Sequence, residues 1–290
     1  MRDLKKGTIY AIISALCFGI MPIFAIKAYS FGMSVYTLLV LRFSISSLLF
    51  FIFLIWKKTT FKIGKKDFKL LFLLGGVLFT LLSVLHFESL KYLTSSMAVL
   101  LLFSFPIFVS IFSFFIYKEK LKIQSIIALL FTFISMIFLL GVSFQGINMK
   151  GVALALLAAI VYALYMILGK KVTDTNSPVV TSTYVTLFAA LGVILIGLIR
   201  NELHWNFSSN AWIYVFCIVV ISTIIGEITL FKSLQILNST NVSMISMVEP
   251  IFTSIFGLLF LQEVMQPLQL LGGLFILIGL TFLIYFQNKI

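Results

Sequence analysis

Charge is scarce in this chain: only 10% of its 290 residues are Asp, Glu, Lys or Arg, against about 25% in soluble domains. Three aspartates (Asp3, Asp67, Asp174) and two histidines (His86, His204) are scattered along it, too few for most metal or acid–base catalytic sites. The two cysteines, Cys17 and Cys217, sit in separate apolar runs and offer neither a disulfide framework nor a zinc spacing. Asp-rich prenyl-transfer motifs, His-Glu-x-x-His, Gly-x-Ser-x-Gly and a Walker A loop are all missing. These absences argue against an enzyme, against a bound metal or other cofactor, and against ATP-driven pumping by this chain.

What fills the sequence instead is apolar. Hydrophobic residues make up 61% of it, Phe alone contributes 32, and the mean hydropathy is +1.18. A soluble fold of this size buries only about three quarters of its unfolded surface, so it has nowhere to hide so much apolar area. The chain reads as an all-α integral membrane protein. A spanning helix needs about 20 mostly apolar residues, and ten stretches supply them: 7–26, 35–55, 70–90, 94–116, 123–142, 151–169, 179–199, 211–231, 241–261 and 268–286. The first shows no small-residue cleavage pattern of a signal peptide, and the short connections leave no room for a soluble domain.

The formal net charge is +12, and its placement explains it. With the N-terminus inside, sixteen Lys and Arg fall in cytoplasmic segments and four (Lys27, Lys91, Lys150, Arg200) outside, with Arg42 inside a span. This is a positive-inside distribution with both termini cytoplasmic. Anionic lipid headgroups are the expected partners of these charges, and nucleic acid is not. Lys-rich, Arg-poor usage, 18 against 3, suggests an AT-rich bacterial genome, and the expected location is the bacterial inner (plasma) membrane.

An offset of 144 residues superposes the chain on itself. Phe87-Glu88-Ser89-Leu90 meets Phe231-Lys232-Ser233-Leu234, Pro106-Ile107-Phe108 meets Pro250-Ile251-Phe252, and Glu119 meets Glu263, with 12 identities across 87–119. The same offset carries Gly7, Ala11, Ala15 and Gly19 onto Gly151, Ala155, Ala159 and Ala163. Small residues at i, i+4 let helix backbones approach closely in lipid. The halves 1–145 and 146–290 hold five spans each. Five is odd, so the second half runs through the membrane upside down. Inverted repeats of this kind are common in secondary transporters, whose solute site lies near the midplane between the halves, and occur in some channels as well.

Polar groups inside spans are costly in lipid and mark function by default. Glu249 lies eight residues into the ninth span, about 12 Å deep, and Pro250 after it removes a backbone donor. Ser243, Ser246, Glu249, Thr253 and Gly257 make a polar or small stripe if the helix is continuous. Glu249 is either a structural carboxyl bonded to a neighbouring helix, or a group that binds a cationic amine or carries a coupling proton. Arg42 cannot lose its proton; snorkelling, a structural bond, solute binding and a direct pair with Glu249 are its options. Glu227, Glu249 and His86 are the candidate proton carriers, with capping and interfacial solvation the other reading of His86 and of Glu88. Tyr162 and Tyr165 are candidates for a cavity wall because each hydroxyl needs a partner, with packing as the other reading. Phe18, the repeat counterpart of Tyr162, and Phe105, the apolar counterpart of Glu249, are placed with them. Pro106 and Pro250 are the expected gating kinks.

These residues resemble the EamA-type transporters of the drug/metabolite transporter superfamily over nearly the whole chain. The likeness rests on Gly19 and Lys27, Leu41-Arg42-Phe43, Glu88-Ser89-Leu90-Lys91-Tyr92 with Ser95, Pro106 with Glu119, the run 158–165, and Glu249-Pro250 with Glu263. It implies ten helices, with spans 1, 3, 4, 6, 8 and 9 around a central cavity and spans 5 and 10 outside as support. It also implies small solutes such as amino acids or amines, often exported, with proton coupling in some members. A lipid-linked metabolite flippase of the same superfamily is the second reading. A homodimer is compatible with the sequence.

Overall fold

A computed structural model describes residues 2–60, 62–118, 123–142, 147–262 and 264–287. Among them there are helices and no strands. Nine helices are long and apolar enough to cross a membrane: α1 (Asp3–Ser30), α2 (Val35–Trp56), α3 (Lys65–Ser89), α4 (Ser96–Tyr117), α5 (Ile123–Leu140), α6 (Met149–Thr173), α7 (Pro178–Arg200), α8 (Ala211–Ile236) and α9 (Ser239–Leu261). A further apolar helix, α10 (Pro267–Gln287), follows. Each of the ten expected stretches falls on one of these helices. Glu119 and Glu263, expected at helix ends near the membrane boundary, lie outside the described residues.

The helix starts are written in side chains that accept orphan backbone N–H groups. Ser34 caps α2, Thr94 caps α4, Asn148 caps α6, Ser177 caps α7 and Asn238 caps α9. Helices α4 and α9 end alike, in left-handed residues Lys118 (φ 54°) and Gln262 (φ 57°) whose N–H groups return to the Ser113 and Gly257 carbonyls. Thr94 and Asn238 are 144 positions apart, and so are Lys118 and Gln262.

Several helices are not regular throughout. Helix α4 breaks at Phe103–Ser104 before Phe105-Pro106, and α9 breaks at Met247–Val248 before Glu249-Pro250. Proline restricts the residue before it and donates no hydrogen bond, which places the breaks. Helix α1 breaks at Ile20, ahead of Pro22. Within α3 and α8 the backbone widens to π-helical turns over Leu73–Phe79 and Ile218–Ile225. A threonine closes each wide turn: Thr80 Oγ1 donates to the Gly75 carbonyl and Thr223 Oγ1 to the Ile218 carbonyl, both at 3.1 Å and five residues back. Such π-turns cluster at functional sites.

The strongest packing pairs α5 with α10, α2 with α7, α1 with α8 and α3 with α6. Small residues make two of these contacts close. A Cβ on Gly7 would stand 2.7 Å from Leu237, and one on Gly151 would stand 2.7 Å from Leu93 and Tyr92. Ala11, Ala155, Ala159 and Ala163 are wholly buried and Ala15 nearly so. Ser14 Oγ donates to the Gly226 carbonyl and Ser233 Oγ to the Gly7 carbonyl, each at 2.9 Å, which fixes α1 against α8 by hydrogen bonds as well as by dispersion.

Candidate functional site

The helices enclose a cavity of about 450 Å³, within the range of small-molecule sites. Its mouth is marked by Tyr29 near the end of α1, Leu38 near the start of α2, His86 near the end of α3, Ser96 at the start of α4, Leu140 at the end of α5, Leu261 at the end of α9 and Gln269 in the first turn of α10. Connections too short to recross the bilayer reverse each helix, so these ends lie on one side of the bundle. The cavity runs inward from there to Phe18, Arg42, Tyr162, Tyr165, Glu227 and Glu249.

The opposite end is tied shut. The first half of α9 packs against the second half of α4 and against α6. Tyr117 donates to the Ile167 carbonyl at 3.4 Å, Ser239 to the Met166 carbonyl at 3.3 Å, and Gln235 to the Thr173 carbonyl at 3.1 Å.

Each polar group owes its position to a feature of its helix. Glu249 stands in the first turn of the half-helix that starts after the α9 break, where the helix dipole favours a carboxylate. Thr253 lines the cavity one turn further on, its hydroxyl bonded to the Glu249 carbonyl at 3.2 Å. Ser243 and Ser246 belong to the other half-helix. They are buried, donate to the Thr240 and Val242 carbonyls at 2.8 and 2.9 Å, and are absent from the cavity lining. The break resets the helical phase, so the stripe read across it does not run along one face.

Arg42 is 5% exposed. Its Nε donates to Thr223 Oγ1 at 2.8 Å and its Nη1 lies 2.9 Å from Met21 Sδ. Nη2 has no partner among the described residues. Among the described residues no ion pair joins Arg42 to Glu249 or to Glu227. Glu227, 1% exposed, sits in the first turn after the π-segment of α8, and neither of its carboxylate oxygens has a hydrogen-bond partner among the described residues. The Tyr165 hydroxyl and His86 Nδ1 are likewise buried and unpartnered. Buried polar groups are normally satisfied, so this concentration at one cavity is its clearest chemical feature.

The remaining walls are aromatic and aliphatic. Tyr165 stacks on Phe79 with centroids 5.0 Å apart, and Phe105, wholly buried, lies 4.1 Å from Tyr162. Phe105 therefore backs the wall rather than lining it. Pro106 is buried behind the lining, whereas Pro250 lines it. Sequence reasoning had no access to Thr223 or Met21, which hold Arg42: their partner is 181 and 21 positions away. Pro22 was the one local sign that α1 breaks there. At the mouth side, Glu88 accepts from Lys91 at 3.0 Å and also from Arg200 at the end of α7. That hydrogen bond holds the Lys91 ammonium above the usual lysine range. Among the described residues no group of three metal-ligating side chains occurs.

Comparison with known proteins accounts for this architecture. The profile of the EamA-like transporter family matches residues 5–141 and again 149–285. The chain is 26% identical over 291 residues to the "Uncharacterized transporter YcbK" of Bacillus subtilis, covering 96% of this chain and 93% of that protein. It is 23% identical over 288 residues to the mouse protein "Solute carrier family 35 member G1", covering 95% of this chain and 77% of that one. A solved crystal structure superposes with a TM-score of 0.84 at 15% identity, covering 98% of both chains, which shows the shared fold. Family and relatives' names point to a transporter rather than an enzyme. The chain is a multi-pass membrane protein, of the inner membrane in bacteria, and belongs to the EamA-like transporter family.

Proposed function

We propose that the protein is a secondary transporter that moves small metabolites such as amino acids or amines across the inner membrane by alternating access. In this reading residues 1–145 and 146–290 are two inverted five-helix halves, ten helices cross the membrane, and both termini are cytoplasmic. The observation that carries it is a chamber, reached from one end of the bundle and tied shut at the other, that collects buried polar side chains without partners among the described residues. The twofold match of the family profile, and the caps, breaks and π-turns recurring at an offset of about 144, support the inverted repeat.

Two like halves in opposite orientation provide two conformations of similar energy. With both termini cytoplasmic, as the positive-inside charge supports, the open end faces outside. Closing it means that α9 and α4 exchange roles: Leu261 now lines the mouth, whereas Tyr117, 144 positions earlier, is bonded to α6. The breaks before Pro106 and Pro250 are the hinges. Glu249, Thr253, Tyr162 and Tyr165 touch the solute, and Glu227, Glu249 and His86 are the proton carriers if transport is proton-coupled. Export follows from the resemblance.

Reconstituted vesicles with Glu249→Gln test this. Lost transport, or transport stripped of its pH dependence, is the expected result; unchanged rate and pH dependence would defeat the assignment. One observation favours a lipid-linked solute. Leu139 and Leu140 of α5 and Gln269 of α10 share the cavity wall, so the chamber reaches the outer helices. A fluorescent-lipid scrambling assay separates such a flippase from a solute carrier.

A further inference from the structure

Arg42 and Glu227 face the same chamber without meeting. The guanidinium is anchored through Nε on Thr223 Oγ1 and Nη1 on Met21 Sδ, which leaves Nη2 as an idle buried donor. The Glu227 carboxyl lies within electrostatic reach of it yet forms no salt bridge with it and has both oxygens idle. If Arg42 served only to tie helices together, its natural acceptor would be Glu227; the fold instead holds the two apart.

Electrostatics sorts the groups around them. Tyr29 comes from α1 together with Cys17, Arg42 from α2, His86 from α3, Tyr162 and Tyr165 from α6, and Glu249 from α9. Helix α7 carries no charge short of Arg200, which Glu88 engages. All of these can be neutral except Arg42, because a guanidinium does not lose its proton in a protein. The one permanent charge lining the described chamber is therefore a single positive one, on a guanidinium whose Nη2 has no partner among the described residues and whose N–H groups suit a carboxylate.

We propose that Arg42 is the receptor for a carboxylate group of the solute, and that Glu227 is its titratable counter-charge, taking up one proton as the carboxylate binds. The proposal rests on the reading of the cavity as a solute chamber. With Glu227 ionised the pair is neutral and offers no net attraction to an anion. With Glu227 protonated the site is a net cation, and the new O–H is a second donor beside Nη2. Thr223 is a positioning residue, because it fixes the guanidinium by Nε while Nη2 stays without a partner among the described residues.

The test uses the purified full chain and three ligands sharing one ring: benzoate, benzamide and benzylamine. Benzoate and benzylamine keep their charges between pH 6 and 8. Thermal stabilisation at increasing concentration gives each Kd. Benzoate alone is expected to stabilise, with a Kd that rises up to tenfold per pH unit over the range in which Glu227 is ionised. Glu227→Gln is expected to retain benzoate binding and lose that slope, and Arg42→Gln to lose benzoate binding. Should Arg42→Gln fail to fold, Glu227→Gln and Thr223→Val decide, the latter weakening benzoate without changing the pH slope. Binding of benzamide or benzylamine in place of benzoate would overturn the proposal while leaving the chamber in place. A slope that persists in Glu227→Gln, or no response to any ligand, would overturn it as well. The chamber itself is then judged independently by labelling from water at Thr253→Cys.

Discussion

Replacing Tyr165 by Phe separates a hydroxyl kept for a ligand from one kept for the fold. The Tyr165 hydroxyl is buried and has no partner among the described residues, a situation that costs about 1–3 kcal/mol. Phe preserves the ring stacked on Phe79 at 5.0 Å, so the substitution removes the unsatisfied group and little else. Returning roughly 1 kcal/mol raises the melting temperature by about 2–4 °C. Ser233→Ala is the matched control. It deletes a hydroxyl that donates to the Gly7 carbonyl at 2.9 Å, and interhelical bonds in membrane proteins average about 0.6 kcal/mol, so this variant melts lower. Thermal unfolding in detergent, followed by the loss of monodisperse protein, compares the two. For a ligand that uses the Tyr165 hydroxyl, a lost bond of about 0.5–1.5 kcal/mol weakens binding roughly 2- to 13-fold. A melting temperature that falls in Tyr165→Phe as it does in Ser233→Ala would refute the reasoning, since the hydroxyl would then have been stabilising the fold.

Other substitutions probe the scaffold around the chamber. Gly75→Ala places a Cβ within 3.0 Å of Val185 backbone atoms, which cannot move aside as a side chain can, and is expected to destabilise by about 1–3 kcal/mol in the same melting assay. Thr223→Val removes the hydrogen bond to a buried guanidinium and the one that closes the α8 π-turn; the first alone is expected to cost about 1.5–3 kcal/mol, more than Ser233→Ala, and an equal or smaller total loss would show that Arg42 finds another acceptor. Glu88→Gln removes the acceptor of Lys91 and Arg200 and is expected to cost no more than about 1 kcal/mol, falling with salt. Because Glu88 holds the Lys91 ammonium above the usual lysine range, its contribution is complete below that range and fades as pH rises from it through the raised value. Amine-reactive labelling of Lys91 is accordingly expected to begin at lower pH in Glu88→Gln than in the parent.

Much of the fold could be read from the sequence because lipid imposes simple rules. The length of an apolar run is set by bilayer thickness, so all ten stretches fall on helices. Proline chemistry is local, so Pro106 and Pro250 marked the breaks in α4 and α9. The polar stripe along α9 was legible only in part, since its 3–3–4 spacing assumes an unbroken helix. Beyond the break Glu249 and Thr253 line the cavity, while Ser243 and Ser246 bond to their own helix. The π-turns of α3 and α8 left no periodic trace, because one widened turn in an apolar run shifts nothing that the pattern records. The approach of Arg42 to Thr223 and Glu227 depends on packing between helices 181 and 185 positions apart, which composition and spacing do not encode.

The central claim is a water-filled solute chamber beside Glu249 at mid-depth, and aqueous access to Thr253 tests it most directly. In a Cys17→Ala, Cys217→Ala background, Thr253→Cys is exposed in sealed right-side-out vesicles to a charged, membrane-impermeant methanethiosulfonate. The account predicts modification from the external water, slowed by a bound ligand. A thiol that ignores the charged reagent from both faces, yet reacts with a lipid-soluble maleimide, would place this face of α9 against acyl chains and contradict the account.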